Sequence, residues 1–365
     1  MSKKVLVVVS GGVDSSTALL LLKKKGFEAT AVHMKLWNYA EVGGDTLNDG
    51  RCCQLESIND LQIICNQHSI PFYVLDFSRQ FKEIVIQNFV SEYRFGRTPN
   101  PCILCNTHLK WSALLDKAME IGCDYIATGH YAITEYDNHR LRYIIKKGTD
   151  GTRDQSYVLW GLGQRALART LMPLGQYQKS EIRQIAKDLN LKNAEKKESR
   201  EICFVADDDY RRFLKEWCER EGEYFMTGDI VDSHGAVLGK HSGLPFYTIG
   251  QRKGLGLSHP TPLYVRRLEP FSNRVVVDSD KHLYSDRMLV TGINWGALSS
   301  PSEEFHAEVK IRYLHLPASA TVRPQKDGTA EIIFDTPQRA ITPGQSAVFY
   351  DKEILLGGGI IENNC

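Results

Sequence analysis

The sequence predicts an α/β protein: a doubly wound parallel-sheet domain, then a small, mostly β central domain and a C-terminal antiparallel β-barrel. Three observations predict it. Apolar, β-branched runs alternate with helical stretches through residues 1–205, the first run ends in a glycine-containing loop that opens a helix, and beyond residue 206 short alternating strands punctuated by Gly and Pro take over.

In chain order, the strand-like runs of the first part are Val5–Val9, Ala29–Met34, Phe72–Phe77 and Tyr125–Thr128, separated by helical stretches at Thr17–Lys25, Ile58–His68, Phe81–Phe95 and Leu109–Ile121. Gly26 and Gly122 stand where helix C-caps are expected. A last helix is read at Asp207–Glu221, followed by strand patterns at Phe246–Ile249, Leu263–Leu268 and Val275–Asp278. From Arg287 the candidates Met288–Ile293, His306–Leu314, Ala320–Pro324, Ala330–Phe334 and Ser346–Tyr350 suggest the barrel. The expected domains are therefore 1–205, 206–283 and 284–365. Asn38–Gly50, polar and glycine-rich, reads as a loop or lid.

Composition excludes several classes. With 365 residues the chain is long enough for several domains, and 45 basic against 44 acidic side chains leave a net charge of +1, so a nucleic-acid surface has to be a local patch. Val5 opens a strand almost at the first residue and no later apolar run could span a bilayer, which predicts a cytoplasmic protein with no membrane partner. Nine cysteines, an odd number, read as thiols and not as a disulfide framework.

The first strand, with Val8 and Val9 at its end, delivers Ser10-Gly11-Gly12-Val13-Asp14-Ser15-Ser16 into a helix. Glycines let backbone N–H groups approach an anion, and the helix N-terminus adds favourable partial charge. The bland alternative is a serine-capped glycine turn. No Gly-x-x-x-x-Gly-Lys-Ser/Thr sequence occurs, which argues against transfer of a terminal phosphoryl group. The heptad instead resembles the loop of enzymes that cleave ATP between its α and β phosphates, which implies ATP bound by residues 8–15 and Mg2+ held near Asp14. Met34 and Gly129, each closing a later strand, are placed to frame adenine.

Cys102 and Cys105 lie in Thr98-Pro99-Asn100-Pro101-Cys102-Ile103-Leu104-Cys105-Asn106, just before the stretch Leu109–Ile121; Cys203 lies in Ser199-Arg200-Glu201-Ile202-Cys203-Phe204. A helix N-terminus with Lys110 nearby is expected to lower the Cys105 pKa. Cys52, Cys53, Cys65, Cys123, Cys218 and Cys365 sit in weaker contexts.

These segments, together with Thr128-Gly129-His130-Tyr131-Ala132, Asp154-Gln155-Ser156-Tyr157 and Thr248-Ile249-Gly250-Gln251-Arg252-Lys253-Gly254-Leu255-Gly256, resemble the tRNA-specific 2-thiouridylases over almost the whole chain. The resemblance implies adenylation of the C2 carbonyl of the wobble uridine in a tRNA anticodon arm and replacement of its oxygen by sulfur. Cys203 would carry a persulfide from a donor protein, such as a cysteine desulfurase or sulfur relay protein, and Cys105 would act as nucleophile and form a transient disulfide with it. Asn100, Pro101 and Cys102 would line the base pocket; His130, Arg153, Asp154, Gln155, Arg312, Tyr313 and Gln345 would contact tRNA. One common family pattern has Asp where Cys102 stands. Cys102, Cys105 and Cys203 could alternatively hold an iron–sulfur cluster or zinc.

Overall fold

The computed structural model describes residues 2–43, 55–194, 202–205 and 207–362. The chain begins with β1 (Lys4–Val8), β2 (Glu28–Lys35), β3 (Phe72–Asp76) and β4 (Tyr125–Ala127), continues into a hairpin of β5 (Ala132–Asp137) and β6 (Arg142–Lys147), and returns as β7 (Thr170–Leu171). The first sheet has the order β3-β2-β1-β4-β7 and its pairings are parallel. Val5, Leu6 and Val7 of β1 are all fully buried, as a strand covered on both faces requires. Because β2 lies on one side of β1 and β4 on the other, the chain switches direction at the carboxyl end of β1, the place where doubly wound sheets collect ligands. The Ser10 loop starts there.

The helices of the first domain start before their expected limits, by three or four residues at Val13, Leu55 and Ser78 and by more in one case. The stretch expected at Leu109–Ile121 begins at Pro101: Asn100 accepts the Cys102 N–H at 3.2 Å as N-cap, and Pro101 takes the first position. The helix runs over 101–120 with π-helical geometry at Cys105–Ala113. The preceding helix covers 78–94 and also carries a π segment, Lys82–Ile86. Asn38–Gly50 contains a short helix at Tyr39–Val42 and otherwise falls largely outside the described residues.

After the helix Tyr210–Arg220 come β8 (Gly228–Val231), β9 (Val237–His241), β10 (Tyr264–Glu269) and β11 (Arg274–Asp278), a sheet of order β10-β11-β8-β9. Then β12 (Tyr284–Asn294), β13 (Phe305–Lys310), β14 (Ala318–Pro324), β15 (Ala330–Arg339), β16 (Ser346–Asp351) and β17 (Ile354–Ile361) form the barrel, closed by antiparallel pairing of β12 with β17. The strand expected at His306–Leu314 ends at Lys310, because residues 311–316 turn. β17 escaped the sequence reading because Gly357-Gly358-Gly359 looks like a loop. A Cβ at Gly358 would lie 2.8 Å from Trp160 Cγ, so the glycine admits the indole against the strand.

The hairpin β5–β6 belongs in sequence to the first domain, yet β6 pairs antiparallel with β17, Leu355 opposite Ile145 and Ile354 opposite Lys146. One apolar core runs from Phe81, Phe89 and Phe204 to Val348, Tyr350 and Leu355, so the sheet domain and barrel share an interior.

Candidate functional site

At the phosphate loop, Ser10 N–H donates to Ser15 Oγ at 3.1 Å and Ser15 Oγ donates to the Gly12 carbonyl at 3.2 Å, which fixes the loop at the mouth of the helix Val13–Lys24. Gly129 follows β4, where a Cβ would stand 2.9 Å from backbone atoms of Asp14 and Ser15; only glycine lets this turn close on the helix start. Met34, expected to frame adenine, is buried near the end of β2.

Asp14 is the best-determined group of the loop. Its carboxylate accepts the Tyr131 hydroxyl at 2.7 Å and both of its oxygens accept from Lys179 Nζ, at 2.7 and 2.8 Å. The ammonium also lies 5.7 Å from the Tyr131 ring centre. Lys179 opens the helix Lys179–Asp188, whose N-cap Gln178 makes a capping box with Glu181, and the Lys179 N–H donates to buried Asp150 at 3.0 Å. Nearby, Asn193 donates to the Gly11 carbonyl at 3.0 Å and to Ser16 Oγ at 3.2 Å. Sequence reasoning missed Lys179 and Asn193. For Lys179 a signal existed: a cation in the first turn of a helix opposes the macrodipole, so another partner must compensate it.

The cysteines depart from expectation. Cys105 is buried in the body of the helix, and Cys102 occupies its first turn. Burial raises the Cys105 pKa against the opposing pull of Lys110, so the expected lowering does not occur. Cys102 is open to solvent at its surface, but the protein around it partly dehydrates the thiol. That dehydration, helped by Cys105, pushes its thiol up to about 11 despite Lys110. Surface exposure decides what can reach the sulfur; crowding decides its charge. Iodoacetamide alkylation of Cys102, followed by mass spectrometry, is therefore expected to accelerate as pH rises through about 11, with Cys105 reacting more slowly because it is buried. Lys110 Nζ donates to Asn106 Oδ1 at 2.9 Å, and Asn106 donates to the Val158 carbonyl at 3.0 Å.

Cys203 is half-buried beside this core, anchored by buried Phe204, which packs edge-on against Phe81 and Phe89. Ser199, Arg200 and Glu201 lie outside the described residues, as do Cys52, Cys53 and Cys365. Among the described residues no group of three His, Cys, Asp or Glu side chains could hold a metal ion, so Cys102, Cys105 and Cys203 are not gathered as a three-ligand cluster or zinc site in this arrangement.

The residues expected to contact tRNA divide into two kinds. Asp154 is committed internally, accepting from Gly148 N–H at 3.1 Å, Ser156 N–H at 3.0 Å and Ser156 Oγ at 2.8 Å; Gln155 accepts the Tyr131 N–H at 3.0 Å. Gln345 donates to the Thr98 carbonyl at 2.9 Å while Thr98 N–H donates to the Pro343 carbonyl at 2.8 Å, so the barrel grips the loop ahead of Pro101. Arg97 strengthens that grip by bridging Glu92 and Glu362. These groups position the site. His130, Arg312 and Tyr313 are held by other contacts. His130 bonds Thr128 Oγ1 at 2.7 Å, and burial with Lys110 nearby holds it well below its ordinary pKa, so it is a neutral ring at pH 7. Arg312 donates to the Arg339 carbonyl at 2.9 Å, and Tyr313 donates to the Asp154 carbonyl at 3.1 Å. Burial raises the Tyr313 pKa, and Asp154 and Cys102 add to the shift.

A parallel sheet with a serine–glycine phosphate loop at its switch point, and Asp14 poised at the helix mouth, defines an ATP-using enzyme of the pyrophosphatase-loop class. Family models agree, matching residues 3–207 as "tRNA methyl transferase HUP domain", 211–279 as "tRNA methyl transferase PRC-barrel domain" and 285–361 as "Aminomethyltransferase beta-barrel domain". The chain is 48% identical over 362 residues to a tRNA-specific 2-thiouridylase of Clostridium botulinum (strain Loch Maree / Type A3), covering 99% of this chain and 100% of that one. It is 46% identical to the corresponding protein of Acidobacterium capsulatum, covering 98% of each, and 43% identical to that of Clostridioides difficile (strain 630), covering 100% and 99%. The chain belongs to the tRNA-specific 2-thiouridylase family.

Proposed function

We propose that this chain is a tRNA-uridine 2-sulfurtransferase, which adenylates the C2 carbonyl oxygen of the wobble uridine and replaces it by sulfur, giving 2-thiouridine, AMP and pyrophosphate. One observation carries the reading. Adjacent residues join the two chemistries: Tyr131 bonds Asp14 of the phosphate loop, and His130 packs 5.4 Å from the Trp111 ring, on the helix that carries Cys102 and Cys105. The family descriptions speak of methyl transfer, but a phosphate loop beside thiols suits ATP-driven activation followed by sulfur transfer.

The residues fit ATP with Mg2+, since one carboxylate together with substrate phosphates is a common magnesium environment. Asp14 would hold the ion, which supplies charge neutralisation at the departing pyrophosphate. N–H groups at the start of the helix Val13–Lys24 would meet the phosphates, and Lys179, once released from Asp14, would add a second cation near them. The uridine oxygen attacks the α phosphorus, and the oxygen that was a poor leaving group departs later as part of AMP.

Asn100, Pro101 and Cys102 frame the pocket of the flipped base, with Arg153, Arg312 and Tyr313 at its rim. His130, being neutral, offers a hydrogen-bonding edge and not a phosphate-binding charge. The terminal sulfur of a Cys203 persulfide attacks C2, forming a C2–S–S–Cys203 adduct as AMP leaves. Cys105 thiolate then attacks the Cys203 Sγ; the adduct's S–S bond breaks, 2-thiouridine departs with the outer sulfur, and a Cys105–Cys203 disulfide remains for an external thiol to reduce. A cytoplasmic cysteine desulfurase or relay protein would recharge Cys203. No step is routed through a cluster, because the three thiols are not assembled for one. Among the described residues no helix is long and apolar enough to cross a membrane.

Purified protein given unmodified tRNA, ATP, Mg2+ and a persulfide-loaded donor is expected to yield wobble 2-thiouridine, read by nucleoside mass spectrometry, with one AMP per thiolation. AMP release without thiolated nucleoside, donor and tRNA both being competent, would sink the proposal.

A further inference from the structure

The turn between β13 and β14 is built inside out. His315 N–H donates to the Arg312 carbonyl at 3.1 Å, closing a turn with Tyr313 and Leu314 at its centre. Leu314 is 89% exposed and Leu316 is 82% exposed, among the most open large apolar side chains described. In the same turn Arg312 Nε and His315 Nδ1 are buried without a hydrogen-bond partner. Folding alone favours the reverse arrangement, since exposed leucines gain nothing from burial and an unsatisfied buried nitrogen is destabilising. Such a segment is completed by something outside the chain.

The surroundings say what completes it. Lys310, Arg312 and Arg339 stand around the turn: Lys310 lies 5.9 Å from the Tyr313 ring centre, and Arg312 bonds Arg339. Two exposed leucines in a turn flanked by Lys310 and Arg312, with Arg339 beyond them paired to Asp280, suit a partner with negative charge and flat apolar faces, which is single-stranded nucleic acid. Tyr313 donates to the Asp154 carbonyl and packs 5.9 Å from the Tyr157 ring, whose turn Ser156–Leu159 touches the Pro101–Leu104 segment that carries Cys102, so this turn belongs to the neighbourhood proposed to receive an extruded base.

We infer that Leu314 and Leu316 form an apolar wedge that enters the anticodon loop beside the extruded uridine, occupying the stacking position it vacates. The inference rests on the proposed tRNA chemistry and adds how the base is held out. Apolar side chains inserted between bases stabilise unstacked nucleic acid in many architectural proteins, and extrusion without a replacement leaves the neighbouring base faces wet. When the wedge seats, the leucines meet base faces, while Arg312 Nε and His315 Nδ1 gain access to RNA hydrogen-bonding groups.

The test uses full-length tRNA carrying 2-aminopurine immediately 3′ to the wobble uridine, whose fluorescence reports loss of stacking with its neighbour. Wild-type protein is expected to raise the fluorescence before ATP is added. Leu314→Ser/Leu316→Ser, two surface changes that leave the fold intact, is expected to lower that rise and the single-turnover thiolation rate about tenfold or more each, and Leu314→Phe to keep both. Equal fluorescence and rate in wild type and the double variant overturns the wedge. So does a normal fluorescence rise with thiolation slowed only when sulfur comes from a donor protein and not from inorganic sulfide, because the leucines would then dock that protein. Wild type that shows the leucine-dependent rise but forms no 2-thiouridine supports the wedge and refutes the proposed function, so the two readings fail separately.

Discussion

Asp14→Ala is expected to abolish ATP-dependent AMP release and also to destabilise the protein by about 2–4 kcal/mol, because Lys179 would lose the carboxylate whose two oxygens accept from it in a nearly closed site. The Lys179 side chain is only 9% exposed and that of Asp14 26%, so solvent relieves only part of the loss. The double variant Asp14→Ala/Lys179→Met removes both charges and is expected to recover most of the thermal stability while remaining inactive. Thermal unfolding and AMP release, measured on the same preparations, separate the two roles. Recovery of activity in the double variant would show that Asp14 serves only as the partner of Lys179. If Asp14 holds a divalent cation as proposed, the lysine would have to leave the carboxylate first, and nucleotide binding would be an exchange.

Cys105→Ser is expected to lower thiolation at least about 10³-fold while leaving AMP release from the first turnover intact. If Cys105 breaks the S–S bond of the adduct, its loss should trap tRNA on Cys203, visible as a protein–RNA species in a denaturing gel that dithiothreitol dissolves. Cys203→Ser should form no such species. Cys102→Asp separates the sulfur-delivery routes: persulfide transfer is expected to survive it within about tenfold, whereas a cluster ligated by Cys102 would lose its iron, its visible absorption and its activity together. Trapping by Cys105→Ser combined with full activity of Cys102→Asp identifies the persulfide route.

The parallel sheet was legible because its signals are local. Val5–Val9 and Ala29–Met34 read as buried strands from composition alone, and the serine–glycine loop follows the first of them directly. The phosphate-loop residues fall at the switch point for the same reason. What escaped depends on distant chain segments. Nothing near Lys179 in sequence announces Asp14, 165 positions away, and nothing near Gln345 announces the loop it grips through Thr98. The Cys105 expectation failed on a competition between effects: helix start and lysine were visible in the sequence, but Pro101 started the helix about two turns earlier and burial outweighed the remaining electrostatic help. β17 was not among the expected strands, and the indole that its glycine run admits, Trp160, comes from a distant part of the chain.

The pairing of β6 with β17 bears on how the chain is made. A ribosome releases the hairpin early and its partner strand last, roughly two hundred residues or about 10–40 s later at ordinary elongation rates. Throughout that interval the nascent protein holds an open strand edge whose mate has not yet been synthesised, and such edges invite pairing with the wrong chain. The salt bridge of Lys146 with Glu135, which places charge on the waiting hairpin, opposes such mispairing until Ile354–Ile361 emerges to close it.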